Sequence, residues 1–287
     1  MKEGLTSMKF DKRRKYYLVL DCETATLPCA ADYDAAARKK IAIAKPLIYD
    51  LGWQVVDRKG RVYARRNFLI SEIFSVPSIF NTAYYACKRP LYLEKLAKGE
   101  IVLTDWRTAA AALEEDMAEV EAVGAYNSMF DFKKAIPFTE LYINMLYSPD
   151  FYDWDKIQER ICKNIASDNR FTSTKEFDPE IFKFRGKDYK LFDLWGLSCE
   201  HILNNDEYKT MCQENGWITE SGKYYKTSAE TAFRFISRNL DFDEAHTALD
   251  DAAIESELLA RIMKTKASNL TMGIIYFPFR ILGYACE

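Results

Sequence analysis

Histidine is almost absent from this chain: there are two, at positions 201 and 246, in 287 residues. The seven cysteines stand at 22, 29, 87, 162, 199, 212 and 286, and none forms a C-x-x-C pair. Structural zinc needs a closed set of Cys and His ligands, so this composition argues against it. An odd, scattered cysteine set in a chain of this size also predicts no disulfide framework and a reducing, cytoplasmic setting. No apolar run is long enough to span a bilayer. The nearest, "MGIIYFPFRILGY" (272–284), is short and is broken by Pro278 and Arg280. The first twenty residues are basic, with no apolar stretch and small-residue cleavage site of the secretory kind. Repeats, low-complexity tracts and Pro/Gly/Ser-rich linkers are lacking too, which predicts one domain over 1–287. Net charge is only −3, so no global excess of positive charge announces a nucleic-acid partner. An acidic metal site would offset basic residues elsewhere, so that balance does not exclude one.

What the sequence does contain is an alternation of strand and helix patterns. "YYLVLDCE" (16–23) reads as a buried strand, and "LIYDLGWQVVD" (47–57) and "RVYARRNFLI" (61–70) as an antiparallel hairpin. "YDAAARKKIAIA" (33–44) and "TDWRTAAAALEEDMAEV" (104–120) favour helix. A short strand "EAVGAY" leads into "NSMFDFKKAI", helical up to Pro137. Further on, the patterns predict a helix at "DWDKIQERICKNIA", hairpins at "FKFRGKDYK" and "WITESGKYYKTS", and helices at "SAETAFRFISR" and "DEAHTALDDAAIESELLARIMK". The class is α/β with a mixed sheet.

Three acidic patches carry the chemistry. Asp21 and Glu23, two apart on the first strand, project from one face, which Tyr17 and Val19 share. Buried unpaired carboxylates are costly, so these lie at a wet strand end or share a cation. Asn127 and Asp131 open the helix after the short strand, where capping and the helix dipole alone would account for them. His246 and Asp251 are five apart, about 140° on an unbroken helix, so they meet only if His246 precedes the helix start. Each patch alone is ordinary. Together, four carboxylates and a histidine suit two-metal phosphodiester hydrolysis, with oxygen ligands selecting Mg2+ or Mn2+.

The order of "DCET", "NSMFD" and "HTALDD" resembles the three motifs of the DEDDh, or DnaQ-like, 3′–5′ exonucleases, whose fold is ribonuclease H-like and whose members include the proofreading epsilon-type domain. The resemblance takes in about 16–70, 104–137, 190–204 and 228–263 of a core at about 16–137 and 190–263, with insertions at about 140–190 and 205–227 between the second and third motifs and a C-terminal segment at 266–287. It implies that Asp21, Glu23 and Asp251 hold one divalent ion, that Asp21 bridges to a second served by Asp131 through water, and that His246 is the general base. The H-x-A-L-x-D pattern selects Asp251 over Asp250. It also implies that the backbone of Thr24, Ala25, Thr26 and Leu27 receives a 3′-terminal nucleotide, with Leu27 on its base and Tyr126, Asn127 and Phe130 nearby. Thr26 stands where many relatives have glycine, and Tyr126 where a histidine is frequent. The implied reaction releases nucleoside 5′-monophosphates from a free 3′ end, single-stranded DNA being favoured over RNA. A polymerase or another replication or repair protein is the implied partner, and no membrane is. The alternatives are an RNA-trimming enzyme of the ribonuclease T or oligoribonuclease kind, and a binding module that does not cut. In the insertions, Trp154, Phe171, Phe182, Phe184 and Tyr189 alternate with Lys183, Arg185, Lys187 and Lys190, a pattern that fits either strand binding or a hairpin with its rings turned inward.

Overall fold

The computed structural model describes residues 10–11, 13–148, 154–167, 178–265 and 270–285. Seven strands form its sheet: β1 (Tyr16–Ala25), β2 (Leu47–Asp57), β3 (Val62–Ile70), β4 (Val102–Thr104), β5 (Ala122–Ala125), β6 (Ile181–Phe184) and β7 (Lys187–Asp193). Their order is β4-β3-β2-β1-β5-β7-β6. Pairing is antiparallel for β1–β2, β2–β3 and β6–β7 and parallel for β1–β5, β5–β7 and β3–β4. The five central strands, with β2 reversed among four that run together, make the mixed sheet of a ribonuclease H-like fold.

Twelve α-helical segments occur among the described residues. They are α1 (Ala35–Ala44), α2 (Ser71–Phe74), α3 (Pro77–Phe80), α4 (Arg89–Lys98), α5 (Trp106–Met117), α6 (Ser128–Phe130), α7 (Ile136–Leu146), α8 (Trp154–Ser167), α9 (Leu194–Ser198), α10 (Asp206–Glu214), α11 (Ala229–Ser237) and α12 (Ala248–Thr265). Side-chain caps start several of them: Asp34, Asp105, Asn205 and Ser228 each accept a backbone N–H from the first turn.

The sheet is buried on both sides because β1 and β2 carry apolar residues on both faces. Leu18 and Leu20 enter one core with Trp53, Trp106 and Phe132. Tyr17 and Val19, on the opposite face, enter another with Phe192, Leu258 and Leu259. Helix α12 lies across β1 and β2 on that second face. Gly52 permits the approach: a Cβ there would sit 2.3 Å from the Leu249 nitrogen and 2.5 Å from the Ala248 carbonyl carbon.

Two expectations need correction, and two others are settled. Helix does not stop at Pro137. A π-helical turn over Asp131–Ala135 runs directly into α7, where the proline occupies the first turn and its missing N–H is not needed. The segment 217–228 does form the small hairpin expected: Ile218 and Tyr225 make an antiparallel bridge, flanked by backbone bonds from Lys226 N–H to the Trp217 carbonyl and from Thr219 N–H to the Tyr224 carbonyl. In the β6–β7 hairpin the rings turn inward: Phe182, Phe184 and Tyr189 are buried, which is the structural alternative rather than strand binding. Phe171 and the Trp154 side chain lie outside the described residues. Finally, Cys29 and Cys162 form a disulfide across 133 residues of sequence. It joins the 3-10 turn Pro28–Asp32 to α8, a pairing made by tertiary packing that spacing alone could not reveal.

Candidate active site

The strand that carries the first two acids leaves the core where they begin. Tyr16 to Leu20 are buried, whereas Asp21, Glu23 and Thr24 are half-buried. At that point β2 contains a bulge: Glu23 pairs with Asp50 and Thr24 with Ile48, leaving Tyr49 extra. A bulge bends the ladder and re-aims neighbouring side chains, here beside the acids.

The third motif arrives over the same strands. Asp50, fully buried on β2, accepts the Ala248 N–H at 2.9 Å through one oxygen and Asn67 Nδ2 at 2.6 Å through the other. Through that first bond the sheet caps α12 from outside the helix. His246 precedes the helix in a left-handed conformation, φ +49°. That kink brings the imidazole back over Asp251, as their five-residue spacing requires. Atoms of Glu23, His246 and Asp251 able to ligate a metal lie within 4.8 Å of one another. Asp251 Oδ1 is buried and has no hydrogen-bond partner. Asp250 points the other way, exposed and bonded to Lys95 Nζ at 2.6 Å and to the Thr247 hydroxyl at 2.6 Å. Asp50→Ala removes the external cap and strands a buried N–H, so it is expected to cost about 1–3 kcal/mol in a denaturant melt.

Asp21 and Asp131 stand outside the close triad but within its field. Burial raises Asp21 well above the usual carboxylate range, and the charges of Glu255, Asp251, Asp131 and Glu23 raise it further. Burial likewise lifts Asp131 to about 7 and Asp251 to about 8, the latter also repelled by Glu244. Glu23 is pushed well up by burial and by Asp251. Asp131, buried in the π-helical turn, accepts the Cys22 thiol at 2.9 Å, which ties the second motif to β1. Oxygen-rich, mutually repelling and partly orphaned, this donor set fits one or more hard divalent cations.

His246 stacks on Tyr85, ring centroids 4.4 Å apart at 16°. Desolvation, then the nearby Lys88 charge, holds its pKa below the ordinary histidine value, so the imidazole is neutral at neutral pH. Lys88 donates to the Ala245 carbonyl and sits over the Tyr85 ring. His246 Nδ1 lies 3.7 Å from Glu244.

The remaining predicted residues divide. Asn127 is exposed and Phe130 half-buried, both open toward solvent. Tyr126 is buried, its hydroxyl donating to the Thr227 carbonyl. Ala25, Thr26 and Leu27 are buried, Leu27 completely. Thr82 closes on Thr26, accepting its N–H at 2.8 Å and sharing its hydroxyl proton between the Thr26 carbonyl at 3.0 Å and the Ile79 carbonyl at 2.7 Å, so in this conformation the Thr26 main chain is engaged.

Sequence reasoning missed Glu255, buried one helical turn after Asp251 and accepting the Tyr126 N–H at 3.2 Å. The signal was present: an acid at i+4 on the apolar face of α12 repeats the position of Asp251. It also missed Tyr85 and Lys88, which carry no pattern of their own, and Asp50, which reads as an ordinary strand residue.

No family model matches this chain, and no curated protein does. Among solved structures it is similar to the crystal structure of cell-death related nuclease 4 (CRN-4), at 11% identity and a TM-score of 0.33. That protein is a nuclease. The alignment covers 88% of this chain and 64% of the other, so this chain spans less than two thirds of the length of the protein it matches.

Proposed function

We propose that this protein is a metal-dependent 3′–5′ exonuclease acting on single-stranded nucleic acid, DNA before RNA. One observation carries the reading: Asp251 presents a buried, unpartnered carboxylate oxygen within ligand distance of Glu23 and His246. Burying that oxygen costs stability unless a proton or a cation meets it, and a divalent cation shared with Glu23 and His246 is what this reading supplies. The order of the three motifs, and the field that Asp21 and Asp131 share with that triad, support the same reading.

In this reading Asp21, Glu23 and Asp251 hold a divalent ion and Asp131 helps to hold a second. Bound there, Mg2+ or Mn2+ would polarise the phosphate and stabilise charge on the attacking and leaving oxygens. His246, neutral near pH 7, takes the proton of the attacking water through an imidazole nitrogen. Tyr85 holds the ring by stacking, and Glu244 is near enough to stabilise the imidazolium that results. Asn127 and Phe130, at the open side, take the terminal nucleotide. The close approach of the imidazole to Glu23 and Asp251 also allows His246 to serve as a ligand.

The test is degradation of 5′-labelled and 3′-labelled single-stranded DNA, duplex DNA and RNA with Mg2+, Mn2+ or EDTA. The expected result is stepwise shortening of the 5′-labelled strand and immediate release of a labelled mononucleotide from the 3′-labelled one. Both should stop in EDTA. A folded, metal-binding protein that cuts none of these substrates would overturn the reading.

A further inference from the structure

Beside the acids lies an aromatic trough that the motifs do not account for. It has a volume of about 390 Å³ and runs between Asn127, Trp195, Lys226 and Phe279, with Tyr126 in its wall. None of its lining residues is acidic. The Trp195 and Phe279 rings stack with centroids 6.2 Å apart at 28°, and the indole is oriented by its bond to the Thr227 hydroxyl at 2.9 Å.

The aromatic surface continues outward from Phe279. Tyr224 meets Phe279 edge-on at 4.8 Å and stacks on Tyr284 at 5.3 Å. Phe277 and Tyr284 are 57% and 63% exposed, an unusual display for large rings. Phe277 is held outward by a left-handed backbone, φ +54°, with the Arg280 guanidinium over its ring at 4.7 Å. Exposed Lys223, Lys226 and Arg280 edge the same surface.

Rings with flat faces in the open, set among cations and free of acids in the trough, match the two parts of a nucleotide: a base to stack and a phosphate to neutralise. A protein partner would also accept the rings, but the cations at the rim favour a polyanion. Position completes the argument. Asn127 lines the trough and accepts the Asp131 N–H through its carbonyl, while the Tyr126 N–H is bonded to Glu255, which lies one helical turn beyond Asp251 on α12. The trough and the acid cluster are therefore two ends of one short segment.

We propose that this trough is a second nucleotide subsite, which stacks a base of a single strand upstream of the nucleotide held at the acids; the proposal rests on the exonuclease reading. Phe279 of the C-terminal segment and Thr219, Tyr225 and Lys226 of the 205–227 insertion complete its lining beside the core residues.

Fluorescence anisotropy with oligodeoxynucleotides from about one to about ten residues tests it, using Asp21→Asn protein to prevent cutting. Affinity is expected to climb between the mononucleotide and short oligomers. Phe279→Ala in that background is expected to weaken oligomer binding roughly tenfold, and Phe279→Trp to restore it. Because a half-buried ring contributes to packing, Lys226→Glu with Arg280→Glu, both exposed, provides a second variant, expected to bind oligomers more weakly with a shallower salt dependence. Unchanged oligomer affinity in both variants, or no gain with length, overturns the subsite. Wild-type hydrolysis measured in parallel separates the two claims. Cutting with unaltered binding in the variants defeats the subsite alone, whereas absence of both cutting and binding defeats the exonuclease reading with it. Binding of an oligomer without cutting by the wild type defeats the exonuclease reading on which the subsite depends.

Discussion

Asp21→Asn is expected to leave a folded protein that has lost hydrolysis by about 10³-fold or more, equivalent to some 4 kcal/mol of transition-state stabilisation. Asp21 receives the field of four other acids, and an amide in its place supplies neither the charge nor the second oxygen that a shared cation requires. The third motif adds a contrast that controls for damage to the helix. Asp250 and Asp251 are adjacent on α12, but Asp250 is exposed and engaged by Lys95 while Asp251 is buried and faces Glu23 and His246. Asp251→Asn should be as severe as Asp21→Asn, and Asp250→Asn should cost no more than a few-fold. Single-turnover rates on a labelled oligomer measure all three, and circular dichroism reports folding. A severe Asp250→Asn with a mild Asp251→Asn would mean that the helix presents its other face to the substrate.

The second large effect is on stability. Asp131 and Asp251 have folded-state values of about 7 and about 8, above the value of about 4 that a carboxyl has in an unfolded chain. A carboxyl raised in this way binds its proton more tightly in the folded protein. Its contribution is therefore fully present below about pH 4 and is lost as pH rises through about 7 to 8. Metal-free protein in EDTA should be less stable at pH 8 than at pH 6 by about 3 kcal/mol, a fall in Tm of roughly 6–12 °C. Divalent cation should reverse the trend, because it binds the deprotonated acids and its effect grows with pH. Thermal melts across pH, with EDTA or with Mn2+, measure both slopes. Metal-free protein whose Tm stays level or rises across this range would show that burial does not raise these two acids.

Much of this arrangement is legible in the sequence because local chemistry and global position agree. A buried strand that ends in two acids marks β1, and Asp34, Asp105 and Ser228 announce their helices. The five-residue step from His246 to Asp251 implies a break before α12, and the left-handed backbone at His246 supplies it. What escapes the sequence depends on distant parts meeting. Thr82 reaches Thr26 across 56 residues, and Asp50 caps a helix 198 residues away. The rings of the β6–β7 hairpin have the composition of a strand-binding surface, but Phe182 packs on Phe132 instead. The aromatic surface that does reach solvent is shared between Trp195, Tyr224 and the C-terminal segment, three places that no window of sequence joins.

Gly52 lies directly opposite Asp21 in the β1–β2 register, and its missing side chain lets the start of α12 touch the sheet through main chain alone. The distance between the acids of the first motif and those of the third is thus gauged by a single hydrogen atom. A methyl group in its place would raise the helix and carry Asp251 and His246 away from Glu23 without altering any acid. On the exonuclease reading, hydrolysis is expected to be lost by a substitution at a position that has no chemistry of its own, and the acids keep their spacing only with this glycine beside them.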